Sequence, residues 1–250
     1  MSSHVNEVLE RNLNNLRENQ YPGRGIVIGL TPDQLHYVQI YWIMGRSENS
    51  QNRIFVEENG FVRTEAFDSS KLTDPSLIIY SPIKFYEDYH IISNGDQTET
   101  IYHALSAGKT FENALDEREF EPDPPNFTPR ISGLLQIGTV VPRYKLSILK
   151  SFYNDPQYCI RNIYNYEKAI PGLGHCLTTY AANGDPIPSF EGEPFIVSVF
   201  DDINETLDFY WNTLNRETKV AVLAKYIHVE NGKVTINCIN KHSYSGITQS

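Results

Sequence analysis

Four stretches of this chain gather residue types that can hold an anion and move a proton. The longest is Met44-Gly45-Arg46-Ser47-Glu48-Asn49-Ser50-Gln51-Asn52-Arg53. Arg46 and Arg53 can grip phosphate through paired N–H groups, and Ser47 and Asn52 add neutral donors. One acid against two arginines leaves the segment positive, which suits a phosphate or a nucleotide sugar. Tyr21-Pro22-Gly23-Arg24-Gly25 places an arginine between two glycines, where a backbone can approach closely. Ser93-Asn94-Gly95-Asp96-Gln97-Thr98-Glu99-Thr100 joins a strand end to a helix start. Thr98 is expected as its N-cap, and a helix start favours an anion. Glu121-Pro122-Asp123 to Thr128-Pro129-Arg130 contains four prolines that pin an acid and a base in place. Tyr80 closes the apolar run Leu77-Ile78-Ile79 and carries a phenol into it. The plain alternatives are a strand-entry turn, a solvated loop, a cap, a rigid connector and a packing tyrosine.

Other chemistries lack their signatures. No GxSxG elbow, Walker loop, GxGxxG or HExxH occurs. The seven histidines form no i, i+4 pair, so no metal site and no cofactor are expected. Cys159, Cys176 and Cys238 show no CxxC spacing and read as idle thiols of a reducing compartment. His175 and Cys176 are adjacent, but adjacency does not make two side chains face each other. The chain has 250 residues with 21 Lys+Arg against 31 Asp+Glu, a formal net charge of −10. That balance argues against nucleic acid as a partner, because backbone binding needs a basic face. Residues 1–20 are polar, and no run approaches the ~18 apolar residues of a membrane span. The expectation is a cytoplasmic protein without a membrane partner.

The elements that must position these stretches follow from periodicity. Val5, Val8, Leu9, Leu13 and Leu16 predict an amphipathic helix over 4–19. Strands are expected at Ile26–Leu30 and His36–Met44, the second apolar on both faces and therefore covered on both. Arg53–Glu58 and Phe61–Phe67 flank Asn59-Gly60, a hairpin signal. Further strands are expected at Leu77–Tyr80, Ile83–Tyr86 and His90–Ser93. Helices follow at Thr98–Ala107 and Phe111–Glu119, then strands at Ile131–Ile137, Lys145–Lys150, Cys159–Tyr164 and Pro194–Phe200. Asp201 or Asp202 should cap a helix through Asn215. The chain closes on a hairpin, Val220–Val229 and Lys233–Asn240. Hairpin connections and more strands than helices indicate an α+β fold with antiparallel sheet, in one domain over 1–250 with an extra N-terminal helix at 1–20.

Together the four stretches and Tyr80 resemble the archaeal-type inosine monophosphate (IMP) cyclohydrolase family, whose members also occur in some bacteria. The carrying features are Tyr21–Gly25, Arg46-Ser47 with Asn52-Arg53, Tyr80, Ser93-Asn94-Gly95 with Thr98 and Thr100, and Glu121 with Thr128-Pro129-Arg130. They stand in the family's order, and the likeness covers roughly residues 20–200. It implies a four-layer αββα sandwich, two antiparallel sheets between helices, like the N-terminal nucleophile hydrolases but without their N-terminal nucleophile. It also implies a homo-oligomer, with a homotetramer as the family's form.

The implied reaction closes 5-formamidoimidazole-4-carboxamide ribotide to IMP with loss of water, the last step of purine synthesis. The carboxamide nitrogen attacks the formyl carbon, so no covalent enzyme intermediate and no metal are needed. By the resemblance, Arg53 donates to the formyl oxygen or orients a base, and Tyr80 donates or shuttles a proton at that oxygen. Glu121 holds the carboxamide NH₂ and takes its proton. Arg46, Ser47 and Asn52 would hold phosphate or ribose, with Arg24, Asn94, Gly95, Thr98 and Arg130 as further substrate contacts. The sequence leaves open which arginine meets phosphate. Three rival readings are an amidase using Cys176 or Ser47, a non-catalytic purine-nucleotide-binding protein, and a plain structural or interaction domain.

Overall fold

The computed structural model describes residues 2–58, 61–72, 75, 78–138 and 143–242. Helix α1 (Ser3–Glu18) leads into strands β1 (Gly25–Leu30) and β2 (His36–Met44). A single helical turn, α2 (Glu48–Gln51), precedes the β3 (Arg53–Glu58) and β4 (Phe61–Ala66) pair. Then come β5 (Ile83–Tyr86), β6 (Tyr89–Ser93), α3 (Gln97–Ser106) and α4 (Phe111–Asp116). Strands β7 (Arg130–Gln136), β8 (Arg143–Phe152), β9 (Asp155–Tyr166), β10 (Leu173–Thr178) and β11 (Phe195–Ser198) follow. Helix α5 (Ile203–Thr213) and the hairpin β12 (Lys219–His228) and β13 (Val234–Asn240) complete the order.

These strands form three antiparallel sheets in a mixed α+β fold. The larger two run β11-β10-β1-β2-β12-β13 and β5-β6-β7-β8-β9, and β3-β4 stands as a pair. Side-chain alternation explains the packing. From the first sheet Ile26, Ile28, Tyr41, Ile43 and Leu223 meet Ile92, Ile131, Leu135, Leu146 and Ile148 of the second in one buried core. The opposite face of the first sheet, Val27, Val38, Ile40 and Trp42, packs on Leu16 of α1 and Leu207 and Tyr210 of α5. The outer face of the second sheet, Ile91, Leu134 and Leu149, packs on Ile101 of α3 and Phe111 and Leu115 of α4. Strand β2 is buried from Tyr37 to Met44, as its two apolar faces require.

Four expectations need correction. Ile78–Tyr80 is turn and coil rather than strand, and Leu77 lies outside the described residues. The amides of Ile78 and Ile79 both turn back to Pro75 O, which uses the donors a ladder would need. Helix α4 ends at Asp116, short of the expected Glu119. Strand β9 has 12 residues, twice the expected length. Strand β10 was not anticipated, because Gly172, Gly174 and the His175-Cys176 pair obscured its pattern. The arms of the first hairpin pair as expected, with Glu58 opposite Phe61, while its Asn59-Gly60 turn lies outside the described residues.

Candidate active site

Arg24 enters at the head of β1. Its amide donates to Thr179 Oγ1 at 3.1 Å, and the Thr179 amide donates to Arg24 O at 2.9 Å, which anchors the chain just before the strand. Gly25 follows because the Trp42 indole occupies the space of a side chain there; a Cβ would lie 1.9 Å from Trp42 Cζ2. Arg24 is thereby held in the interior, with Nε buried and unpartnered among the described residues.

The segment from Arg46 to Arg53 divides into an outer and an inner half. Ser47 caps α2 by accepting from Ser50 N at 3.1 Å and is exposed. Arg46 is also exposed, donating to Asn183 Oδ1 and Gly184 O, both at 2.8 Å, with its guanidinium 5.2 Å from the Tyr21 ring centroid. An open cavity of about 680 Å³ lies nearby, lined by Asn19, Pro22, Thr178, Tyr180 and Asn183. Arg53, Tyr80 and Glu121 do not line it.

Asn52 is buried and fully engaged. Its Nδ2 donates to Asp68 O and its Oδ1 accepts from Asp68 N, each at 2.8 Å. The amide thus clamps the end of the β3–β4 pair instead of offering donors to a phosphate. Asn52→Ala should lose both bonds, roughly 1–3 kcal/mol of stability, and lower Tm by several degrees without changing KM. Thermal unfolding beside steady-state kinetics checks this.

Arg53 itself points inward and is 1% exposed. Its Nε donates to Ser50 O at 2.8 Å, and Nη2 lies 3.4 Å from Met44 O. The turn of α2 therefore serves to present the Ser50 carbonyl that orients the guanidinium.

Tyr80 is held by Thr64 of β4. Thr64 N donates to Tyr80 O at 2.9 Å, and the Tyr80 amide donates to Thr64 Oγ1 at 3.0 Å. Its hydroxyl sits 2.6 Å from that of Tyr41 on β2, forming a buried phenol pair. Burial pushes both phenols up; the Arg53 and Arg24 charges pull Tyr80 part of the way back.

Glu121 is 2% exposed and makes no side-chain hydrogen bond or ion pair among the described residues. Its amide donates to Thr128 O at 2.9 Å, which closes the proline-rich connector into a loop. Asp123 braces that loop from inside, accepting from Thr128 N and Thr128 Oγ1 at 2.6 and 2.5 Å. Burial pushes the Glu121 carboxyl above its ordinary value, and the charges of Arg24, Arg130 and Arg53 do not fully offset it. Arg24 shows the reverse balance: burial would lower it, but Glu121 and the phenols of Tyr21, Tyr41 and Tyr80 hold it firmly charged.

At the start of α3 the observed N-cap position is Asp96, not Thr98, and it makes no side-chain cap bond. Thr98 is the second residue of the helix, its hydroxyl taken up by Gly95 O at 3.1 Å and Ser93 Oγ at 2.5 Å. Asn94 is likewise engaged. It donates to Pro129 O at 3.0 Å and accepts from Ile131 N at 2.8 Å and Gln97 Nε2 at 2.9 Å. Arg130 Nη1 donates to Asp96 Oδ1 at 2.6 Å and Gln97 Oε1 at 2.8 Å. A Cβ on Gly95 would lie 2.8 Å from Arg130 Nη1 and 2.7 Å from Gln97 Oε1, so glycine is needed for that approach. Asn94, Gly95 and Thr98 thus form a polar scaffold that locates Arg130 and, through Pro129, the Glu121 loop.

The fold therefore gathers Arg24, Arg53, Tyr80 and Glu121 into one electrostatic set, with Arg130 at its edge. Arg46 and Ser47 stand outside it at the surface. Residues 21–232 match the family model described as IMP cyclohydrolase-like protein. The chain belongs to the IMP cyclohydrolase-like family. No curated protein matches the chain. Helix α1 precedes the matched residues, and Arg24, Arg53, Tyr80, Glu121 and Arg130 all lie within them.

Two features of this family member were not anticipated. Tyr41 is one of 16 tyrosines, sits mid-strand among apolar residues, and carried no signal beyond its inward parity. Tyr180 Oη, 2.6 Å from Thr128 Oγ1, joins the Glu121 loop to the Arg24 anchor. The thiol-nucleophile alternative finds no support. Cys176 is fully buried against the helices, and burial pushes its thiol far up. The preceding residue, His175, bonds Tyr144 Oη through Nδ1 at 2.5 Å and stacks on Tyr166.

Proposed function

We propose that this chain is an IMP cyclohydrolase, closing 5-formamidoimidazole-4-carboxamide ribotide to IMP with loss of water. The observation that carries this reading is the gathered set of two buried arginines, a buried unpaired carboxyl and a phenol pair. Such a set matches the demands of the ring closure. An amide nitrogen is a poor nucleophile, so it must be oriented and must lose a proton. The formyl oxygen gains negative charge, then leaves as water. Orientation supplies about 7–11 kcal/mol at best, and one placed oxyanion donor roughly 3–4 kcal/mol.

In this reading Glu121 accepts from the carboxamide NH₂ and removes its proton. Arg53 donates to the formyl oxygen. Tyr41 donates to Tyr80, leaving the Tyr80 proton to reach the formyl oxygen as charge develops. The proton held by Glu121 is the second one the oxygen needs to leave as water, and the formamido N–H, lost as the ring C=N forms, replaces the Tyr80 proton. The charge of Arg24 favours the ionised form of Glu121 without pairing with it, and Arg130 stands as a further substrate contact at the edge of the set. Arg46 and Ser47, at the surface, suit the phosphate end. Both reacting groups belong to one substrate, so the proposal needs neither a metal nor a covalent intermediate.

The wider proposals rest on the same resemblance. The three cores in succession, helices on sheet, sheet on sheet, sheet on helices, support a four-layer sandwich of the N-terminal nucleophile hydrolase kind in one domain. A homotetrameric, cytoplasmic enzyme is the corresponding proposal for assembly and location. The deciding experiment is ring closure of the purified protein's ribotide substrate followed by ultraviolet absorbance, with chelator present. No acceleration over the uncatalysed cyclisation sinks the proposal. Tyr80→Phe should lower kcat by about 10²-fold or more with little change in KM; an unchanged kcat removes the phenol from the mechanism.

A further inference from the structure

A second polar cluster lies between the two large sheets and belongs to none of the groups above. Lys225 of β12 and Gln39 of β2 are cross-strand partners, and both point into the inter-sheet core. His90 of β6 faces them from the other sheet, with Gln39 Nε2 donating to His90 O at 3.0 Å. All three are more than nine-tenths buried. Both ring nitrogens of His90 and the side-chain oxygen of Gln39 lack partners among the described residues, and Lys225 makes no ion pair there. Buried polar groups are ordinarily satisfied, so three unanswered atoms beside a lysine without an ion pair call for an explanation.

Lys225 and His90 also line a cavity of about 410 Å³. Its walls are Ile83, Ile137, Val234 and Ile236, and Phe61 and Phe85 stack at its mouth with centroids 6.4 Å apart. We propose that this cavity is a binding site for a small carboxylic acid with an apolar body, its carboxylate seated on Lys225 and His90. The match is chemical. An ammonium with no acid beside it needs an anion, a neutral imidazole can donate one N–H to a carboxylate oxygen, and Ile83, Ile137, Val234 and Ile236 offer apolar surface to the rest. The titratable groups at the rim are Glu57, Lys84, Glu87 and Asp88. Glu57, Glu87 and Asp88 are exposed, so water screens them, whereas Lys225 and His90 are buried.

Occupancy has a proton signature. Burial lowers Lys225 to about 7 and His90 to about 3 in the free protein. A carboxylate beside Lys225 raises its affinity for a proton, whereas His90 stays neutral. Binding at pH 8.5 therefore takes up nearly one proton, and binding at pH 5.5 takes up almost none.

The test is calorimetric titration of the full chain with 4-phenylbutyrate, in buffers of different ionisation heat, beside 4-phenylbutylamine. Expected are saturable binding of the acid, the proton uptake described, and at least tenfold weaker binding of the amine. Lys225→Met should abolish binding and raise Tm, since it removes an unpaired buried amine. Ile236→Trp fills the cavity while leaving Lys225 in place, and should lower affinity at least tenfold. Acid that fails to bind, binds without proton uptake at pH 8.5, or binds equally to either variant overturns the proposal. None of these readouts depends on ring-closing activity.

Discussion

Glu121→Gln should slow ring closure by about 10²–10⁴-fold while the protein remains folded and binds IMP. Glutamine keeps the shape and can still accept from the carboxamide NH₂ through its oxygen, so orientation survives. What it cannot do is take the proton. The buried carboxyl is well suited to that task because burial raises its proton affinity, and the nearby arginines only partly undo this. A base with raised affinity is a stronger base once ionised. The sign in pH follows. The working form is the carboxylate, so wild-type kcat climbs with rising pH through the raised Glu121 value and levels above it. That acid limb should lie above the ordinary carboxylate range and should vanish in Glu121→Gln, whose residual rate rests on Arg53 and the phenols. A kcat–pH profile of both proteins decides the point. If the limb persists unchanged in the variant, another group is the base. Stability runs the other way. The native state binds this proton more tightly than the unfolded chain does, so ionising Glu121 lowers stability as pH rises through its native value.

The residues that could be read from the sequence are those whose local surroundings are unusual. Arg24 stands between two glycines, and Glu121 and Arg130 are bracketed by prolines. Arg53 ends a polar stretch at the start of a strand. Each of these departs from what a core or a solvated loop would contain, and each is gathered into the buried set. Asn52 and Asn94 also stood out, but their roles depend on partners distant in sequence. Asn52 pairs with Asp68 and Asn94 with Ile131, and no local pattern reports such pairings. Strands followed the same rule. β2 announced itself by two apolar faces, whereas β10 was masked by its glycines and its His-Cys pair. Ile78–Tyr80 had strand composition, but the return of two amides to Pro75 O made it a turn. Lys225 was hidden for another reason. A lysine in an alternating strand reads as solvent-facing, yet β12 lies inside its sheet with both faces covered.

Arg53→Lys tests the other half of the chemistry, the charge that develops on the formyl oxygen. It should lower kcat by about 10²–10³-fold, the usual loss for a single oxyanion donor, with KM nearly unchanged. A lysine keeps the formal charge but not the geometry. The guanidinium is fixed by Nε on Ser50 O, with Nη2 near Met44 O, which aims its remaining N–H groups inward. An ammonium has no second anchor and must choose between the Ser50 carbonyl and the substrate. Charge is at risk as well. Burial, and then the neighbouring Arg24, already lower the proton affinity of Arg53. A guanidinium tolerates this because it starts so high, whereas an amine begins about two units lower. The R53K enzyme should therefore regain rate as pH falls and its amine takes up a proton, within the range where Glu121 stays ionised. Arg46→Ala provides the contrast. That side chain is exposed and bonds Asn183 and Gly184. Its loss should raise KM and leave kcat close to wild type. Steady-state kinetics on the two variants separate these roles. A KM effect for Arg53→Lys with intact kcat would assign Arg53 to phosphate and leave the developing oxyanion to Arg24.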